Sequence, residues 1–200
     1  LISGIAIAAK ALKPDIQIIG VEAAMYPCMH AALRGETPKT GVATIAEGIA
    51  VKEAGELTRQ ICAELVDDIV LVEEEHLERA ITLYAEVEKT IAEGAGAAGL
   101  AALIAHPARF QGRKVGLVLC GGNIDTRLLS SVLTRALLAL VSKIIGDQGA
   151  NIMEVAHNRI ALDVPAKGAE FDILIETRDA QHTQEVIDAL AQAGYPPRSL

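Results

Sequence analysis

One segment of the sequence combines a thiol, paired glycines and polar side chains: residues 120–125, which read CGGNID. It follows an apolar run at residues 114–119 that predicts a buried parallel strand, and it precedes a helical pattern. Ligands of open α/β sheets bind at the carboxyl ends of strands. The glycines would let the backbone approach a flat ligand closely, and the following helix would offer its amide groups. An ordinary glycine turn between strand and helix is the alternative interpretation.

Two further segments combine an acid with small residues. Residues 93–99 (EGAGAAG) place Glu93 at the opening of a small-residue helix, and residues 44–50 (TIAEGIA) contain a glycine turn at Gly48. Close helix packing would explain the first pattern, because glycine and alanine reduce the distance between helices. A plain loop would explain the second. Each segment is a weak signal by itself, so the elements that position them matter.

Those elements alternate between helix and strand. Helices are predicted over residues 1–12, 57–65, 73–89 and 93–104, and short buried strands over residues 17–22, 68–72 and 114–119. Such alternation predicts an α/β fold in which helices cover a parallel sheet.

The pattern changes after Arg135. It continues with a helix at residues 137–147, a strand at 151–156, a turn-rich hairpin at 165–168, a strand at 171–177 and a helix at 183–193. This αββα order is the interior of a ferredoxin-like α+β domain without its first strand. We therefore predict two domains, residues 1–135 and 136–200. Two apolar helical segments meet at residues 134–136 without a turn signal, so we expect residues to be missing there.

Taken in order, the segments resemble fold-type-II, tryptophan synthase β-like pyridoxal-phosphate enzymes of the threonine dehydratase and serine racemase family. Residues 1–6 (LISGIA) resemble the end of the family's glycine-rich phosphate loop. Residues 44–48 resemble its TIADG segment, residues 93–96 its E-x-x-G helix opening, and residues 120–125 its SGGN(V/I)D motif. The resemblance covers residues 1–135 and implies a partial parallel sheet that binds pyridoxal 5'-phosphate.

The resemblance implies a role for each residue of a cofactor site. Leu1 would supply a backbone amide to the phosphate, Gly48 would line the pyridine ring, and Glu93 and Gly121 would belong to the same pocket. Cys120 stands where the family usually has Ser hydrogen-bonded to the pyridine nitrogen. A thiol is a weak donor but is normally neutral, like Ser. A neutral partner leaves the ring less electron-poor than a carboxylate would, which favours reactions that expel a β-substituent promptly.

The implied reaction is deamination of L-threonine to 2-oxobutanoate and ammonia, or of L-serine to pyruvate and ammonia. No lysine of the chain lies in the Ser-x-(Gly/Lys)-Asn-His-like context that the family uses. We therefore expect the catalytic lysine to lie upstream of Leu1 and the chain as written to be inactive. A serine racemase-like enzyme and a noncatalytic amino-acid-binding fragment are the alternatives.

The family's cation site would correspond to Glu22, the carbonyl of Tyr26 and Cys28. Cys28 replaces an Asp of that site, and a thiol is a poor ligand for Mg²⁺ or Ca²⁺. A divalent metal is therefore disfavoured. A monovalent cation held mostly by backbone oxygens, with Glu22 as the candidate side chain, stays open.

Residues 136–195 resemble an ACT regulatory domain. Asn151 and Ile152 lie in the turn into the strand that commonly faces a paired ACT domain and its amino-acid ligand. The resemblance implies allosteric control by an amino acid, for which isoleucine is the natural guess, in a homodimer or homotetramer. A turn Asn before a strand is the plain alternative for Asn151.

Composition narrows the functional classes. Aromatic residues make up 2% of the chain, Trp is absent and the formal net charge is -8, so nucleic acid is not expected as a partner. The three cysteines form no CxxC pair, which argues against a zinc site. We expect no membrane span and no signal peptide, since there is neither an uninterrupted apolar stretch of about 18 residues nor a basic-then-apolar start. A cytoplasmic location is the default expectation.

Overall fold

The computed structural model describes residues 1–38, 40–41, 43–157 and 171–198. The chain divides into two compact units, Leu1–Leu133 and Thr134–Leu200. The division falls within the longest helix.

The first unit alternates helices with two strands. Its elements are α1 (Ile2–Leu12), β1 (Ile19–Ala23), α2 (Cys28–Leu33), a 3₁₀ turn (Glu47–Ile49), α3 (Glu56–Leu65), β2 (Asp68–Val72), α4 (Glu74–Glu86), α5 (Gly94–Ala105), α6 (Pro107–Phe110) and the start of α7 (Thr126–Asp147). Strands β1 and β2 are parallel, with Ile19 opposite Asp68 and Ala23 opposite Val72. The predicted α/β alternation is confirmed over residues 1–105.

The core of this unit lies between the sheet and helices α4 and α5. Val70 and Val72 of β2 pack with Leu77 and Ile81 of α4. Helix α5 contributes only alanines to the buried cluster, at residues 97, 98, 101 and 102. Because these side chains are small, α5 approaches its neighbours closely. Close packing and the placement of Glu93 are therefore two properties of the same helix.

The strand predicted at residues 114–119 is not formed. The segment has no secondary structure, and the described strands of this unit pair only with each other. A strand requires a neighbour that accepts and donates its backbone hydrogen bonds, and the apolar run has none among the described residues. Val118 is consequently 53% exposed. Leu117 lies over Gly99 of α5, where an added Cβ would be 3.5 Å from Leu117 Cδ2.

The second unit contains the end of α7, β3 (Asn151–His157), β4 (Phe171–Glu176) and α8 (Ala180–Gln192). Strands β3 and β4 are antiparallel, from Asn151 opposite Glu176 to His157 opposite Phe171. Their apolar face packs on a small helical core. That core consists of Val141, Ile145, Val186 and Leu190, with Ile152, Ile173 and Ile175 against it. The helix, strand, strand, helix order is as predicted, whereas the hairpin expected at residues 165–168 lies outside the described residues.

Helix α7 is longer than the sequence pattern suggested. A separate helix was predicted to begin at residue 137, but one helix runs without interruption from Thr126 to Asp147. The two apolar segments continue into each other because neither Gly nor Pro separates them at residues 134–136. By length and composition alone, with a mean hydropathy of 1.8, this is the one helix of the described residues that could cross a membrane. Core helices also pass this test, and Val132 and Ile145 are buried in the two units.

Candidate functional site

The three glycine-rich segments meet in the first unit. Gly48 lies in the 3₁₀ turn, Glu93 caps the N-terminal end of α5, and Gly121 lies in the extended segment before α7. A Cβ added to Gly48 would be 3.7 Å from Glu93 Oε1. A Cβ added to Gly121 would overlap the same carboxylate oxygen and would be 2.8 Å from Glu93 Cδ. The structure thus brings together three residues that the sequence motifs singled out.

Glycines make this approach possible because the backbones themselves are in contact. The amide of Glu93 donates to the carbonyl of Gly121 at 3.1 Å. A Cβ on Gly96 would be 2.5 Å from that same carbonyl oxygen, and a Cβ on Gly94 would be 2.7 Å from the amide nitrogen of Ala46. Side chains at these positions would force the segments apart. Gly94 and Gly96 therefore allow residues 44–50 and 120–125 to pack directly against the start of α5.

Glu74 anchors the segment that carries Gly48, and the sequence did not single it out. It is the first residue of α4, and its Oε2 accepts the amide of Ile45 at 2.9 Å. Its Oε1 is buried and has no hydrogen-bond partner among the described residues. The available signal was its position, because an acid two residues after β2 lies at the carboxyl end of a parallel strand.

Glu93 lies where the segments of Gly48 and Gly121 come together. It stands at the N-terminal end of α5, where helix amides and the helix dipole favour negative charge. The side chain is partly buried. Its carboxylate lies beside the two backbone surfaces of Gly48 and Gly121, from which no side chain projects. The site thus consists of the backbones of Gly48 and Gly121 with the Glu93 carboxylate beside them.

Leu1 and Cys120 are the two other residues that the resemblance assigns to the cofactor. Cys120 directly precedes Gly121, and its thiol is exposed. Leu1 is 77% exposed and caps α1, and its carbonyl accepts the amide of Ile5 at 3.1 Å. Among the described residues, no side chain caps the amides of α1, and its first turn has no acidic residue. Such a helix end suits an anion such as a phosphate.

Glu22 caps a helix in this structure. Its Oε1 accepts the amide of Met29 at 2.9 Å and the thiol of Cys28 at 3.4 Å, and its Oε2 accepts the amide of His30 at 2.8 Å. Burial, and then the Glu22 carboxylate, raise the pKa of Cys28 to about 11, so the thiol stays protonated and donates. No group of three His, Cys, Asp or Glu residues in the described ranges could hold a metal ion. The geometry thus gives Glu22 a capping role, and the monovalent cation site stays a prediction.

The second unit contains a shallow cleft of about 310 Å³. It is lined by Gly149, Asn151, Glu176, Thr177 and Arg178. Asn151, which the sequence predicts as an effector contact, lines this cleft. Ile152, the second predicted contact, packs its side chain against the core of the unit instead. The two side chains are separated because neighbouring residues of a strand point to opposite faces. The residues after β4 were missed, although a polar run at a strand end was visible in the sequence.

Comparison with known proteins gives one family. Residues 1–121 match the family described as "Pyridoxal-phosphate dependent enzyme". The chain is 36% identical to an L-threonine ammonia-lyase of Thermotoga maritima over 219 residues, which cover 99% of this chain and 54% of that protein. The chain therefore spans about half the length of the curated relatives it matches.

Solved structures are similar to the chain as well, and two of them serve as examples. A threonine deaminase from tomato, Solanum lycopersicum, superposes with a TM-score of 0.61 at 32% identity, covering 69% of this chain and 39% of that one. A maize serine racemase superposes with a TM-score of 0.58 at 31% identity, covering 68% of this chain and 44% of that one. Both similarities agree with the fold inferred from the glycine-rich segments.

Proposed function

The chain belongs to the family of pyridoxal-phosphate dependent enzymes, and we propose that it supplies one side of the cofactor site of a threonine ammonia-lyase. The substrates would be L-threonine and, secondarily, L-serine, deaminated to 2-oxobutanoate or pyruvate and ammonia. The observation that carries the proposal is the convergence of Gly48, Glu93 and Gly121. The 36% identity to a protein named L-threonine ammonia-lyase supports the choice of reaction.

The described residues fit the chemical groups of the cofactor. The uncapped amides at the start of α1, next to Leu1, suit its phosphate. The absence of side chains at Gly48 and Gly121 lets the Glu93 carboxylate lie against both backbones, and the pyridine ring would bind beside this cluster. The exposed thiol of Cys120 would face the ring nitrogen.

When bound, pyridoxal phosphate supplies an electron sink for the bond changes at the α-carbon of the substrate. The contribution of this chain is to hold and tune that group. Cys120 would offer a neutral, weakly donating partner. Such a partner favours prompt loss of a β-hydroxyl over reactions that need a long-lived carbanion.

The proposal is tested by comparing two glycine variants in the protein that contains this chain. Gly121→Ala places a methyl group on the Glu93 carboxylate, so we expect cofactor affinity and 2-oxobutanoate formation from L-threonine to fall at least about tenfold. Gly116→Ala is the matched control in the same segment, because nothing lies within 4 Å of its added Cβ. Equal losses in both variants would contradict the proposed site.

The same experiment separates the alternatives. Formation of D-serine from L-serine, without 2-oxobutanoate from L-threonine, would favour the serine racemase-like enzyme. Absence of a cofactor absorbance band would favour a noncatalytic amino-acid-binding fragment. We propose a cytoplasmic homodimer or homotetramer, and sedimentation velocity gives its assembly state directly.

A second function is favoured by the cleft of the second unit. We propose that this unit is an ACT-type sensor that binds an amino acid at Asn151. The cleft offers one acidic and one basic residue, Glu176 and Arg178, which suit the ammonium and carboxylate of a zwitterion. Isoleucine is the first probe, with calorimetric titration as the measurement. Binding that disappears in Arg178→Ala supports the proposal, and the absence of any isoleucine binding contradicts it.

A further inference from the structure

His182 is a buried histidine whose ring joins two separate segments of the second unit. Its side chain lies in α8 and is 2% exposed. Its Nε2 lies 2.8 Å from the carbonyl oxygen of Gln148, at the turn between α7 and β3. Its Nδ1 lies 3.1 Å from the amide of Arg178, in the connection between β4 and α8. Both ring nitrogens are therefore occupied by backbone partners.

These partners define the protonation state of the ring. The amide of Arg178 can only donate, so Nδ1 must accept, and the Nε of Arg178 donates to the same atom at 3.3 Å. The carbonyl of Gln148 can only accept, so Nε2 must carry the proton. The observed geometry therefore corresponds to the neutral Nε2–H tautomer.

The two partners of the ring belong to the two chain segments that line the cleft. Gln148 directly precedes Gly149, which lines the cleft and turns the chain with a φ of +79°. Arg178 also lines the cleft, in the segment after β4, and its guanidinium is the candidate cation for a ligand carboxylate. The start of α8 is fixed independently, since the Asp179 carboxylate accepts the amide of His182 at 2.8 Å. The ring thus connects the two chain segments that line the cleft, and we call this connection the brace.

We propose that His182 is a positioning residue that holds the segments of Gln148 and Arg178 together only while its ring is neutral. Amino-acid binding in the cleft would therefore weaken on acidification. This inference rests on the proposed sensor function. A second proton on the ring would sit on Nδ1, where it would remove the acceptor of the Arg178 amide and place a positive charge beside the guanidinium. The segment that carries Arg178 would then lose its hydrogen bond to the ring.

Charged groups lie on each element that meets at the ring. They are Arg178, Asp179 and Glu185 at or in α8, Glu176 at the end of β4, and the Lys143–Asp147 pair at the end of α7. Lys143 neutralises Asp147 at 2.6 Å, and Asp179 is engaged by the backbone of His182. Arg178 is the charged side chain that contacts the ring, so the first effect of a protonated ring is repulsion.

Two variants of the full chain separate the functions of the two ring nitrogens. His182→Asn places an amide oxygen near the position of Nδ1, so it keeps an acceptor for Arg178 and cannot be protonated. His182→Gln reaches toward Gln148 with a donor but leaves the Arg178 amide without its acceptor. We expect isoleucine, titrated by calorimetry, to bind the unmodified chain about tenfold more weakly near pH 5 than near pH 8. The Asn variant should show no such difference.

Nuclear magnetic resonance tests the brace without any ligand. We expect ¹⁵N shifts of the Nε2–H tautomer near pH 8, and an Arg178 amide whose protection from exchange falls on acidification in the unmodified chain but not in His182→Asn. The Gln variant should lack this protection at both pH values. The Nδ1–H tautomer, or equal acid loss in the Asn variant, would overturn the proposal. Failure of isoleucine to bind at either pH would contradict the sensor function, while the exchange data would still decide the role of His182.

Discussion

Cys120 is the residue whose chemistry most directly sets the reaction in this account. It directly precedes Gly121, which contacts the Glu93 carboxylate, and its thiol is exposed. A protonated thiol and a hydroxyl are both neutral partners, whereas a carboxylate would hold a ring nitrogen protonated. The charge of the side chain at this position, rather than its size, should therefore matter for the reaction.

This reasoning predicts different outcomes for two substitutions of Cys120. Cys120→Ser should leave the elimination product of L-threonine unchanged, because the partner remains neutral. Cys120→Asp should shift the products toward racemisation or transamination-like side reactions. Product ratios measured by chiral chromatography check this. Unchanged ratios in the Asp variant would refute the neutral-partner argument.

Cys28 gives a second prediction at the scale of one residue, on stability. Burial and the Glu22 carboxylate raise the pKa of its thiol from an ordinary 9.0 to about 11. A raised pKa in the folded state contributes stability that is present below the unfolded value and is lost as pH rises through the folded value. We expect the free energy of unfolding to fall by about 2 kcal/mol between pH 9 and about 11.

Chemical denaturation at several pH values measures this loss. In Cys28→Ala the alkaline fall should be smaller by that amount, since the titrating group is removed. Cys62→Ala is the control, because Cys62 is also buried but its recorded partner is the uncharged hydroxyl of Ser3, at 3.6 Å. An alkaline fall that is the same in the unmodified chain and in Cys28→Ala would refute the assignment.

At the scale of elements, the site depends on a connection between α4 and the Gly48 turn. Glu74 opens α4 and accepts the amide of Ile45. Removing that acceptor leaves the turn without its anchor, at a cost of about 1.5–3 kcal/mol for a hydrogen bond to a charged group. We expect Glu74→Ala to weaken cofactor binding at least about tenfold.

Conservative and neighbouring variants test whether this effect is specific to the anchor. Glu74→Gln keeps an amide oxygen that can accept from Ile45, so most of the cofactor affinity should return. Glu75→Ala should leave it unchanged, because the Glu75 side chain is 82% exposed. Cofactor titration followed by absorbance is the measurement. Equal affinity in the unmodified chain and Glu74→Ala would show that the anchor is dispensable.

The elements also show where sequence reasoning succeeds. Strand β2 was predicted over the residues where it forms, since a short run that is apolar on both faces can only be satisfied between helices and a neighbouring strand. Residues 114–119 carry the same signal but form no strand. Hydropathy reports what a segment can bury, whereas strand formation also requires a partner that hydropathy does not reveal.

The site residues divide in the same way. Gly48, Glu93 and Gly121 were predictable because the need for close backbone approach is written in the glycines themselves. Glu74 was not, because an acid in the first turn of a helix reads equally well as a dipole partner. Ile152 stays a prediction, and its side chain packs against the core of the second unit. Of the candidate effector contacts, only Asn151 was predicted; Glu176 meets it through the pairing of β3 and β4, which the sequence does not reveal.

At the scale of the whole molecule, two units divide the proposed tasks. The first unit, Leu1–Leu133, contains every residue assigned to the cofactor, and the second, Thr134–Leu200, contains the cleft assigned to an effector. The family match ends at residue 121, within the first unit. The predicted domain boundary after Arg135 stays a prediction, as does allosteric control.

An experimental structure of the protein that contains this chain, with pyridoxal phosphate bound, tests the proposed cofactor site directly. We predict that the ring lies against the backbones of Gly48 and Gly121, with its nitrogen facing the Cys120 thiol and its phosphate at the start of α1. A cofactor bound away from these glycines, or turned so that Cys120 faces neither the nitrogen nor the ring, would contradict the account.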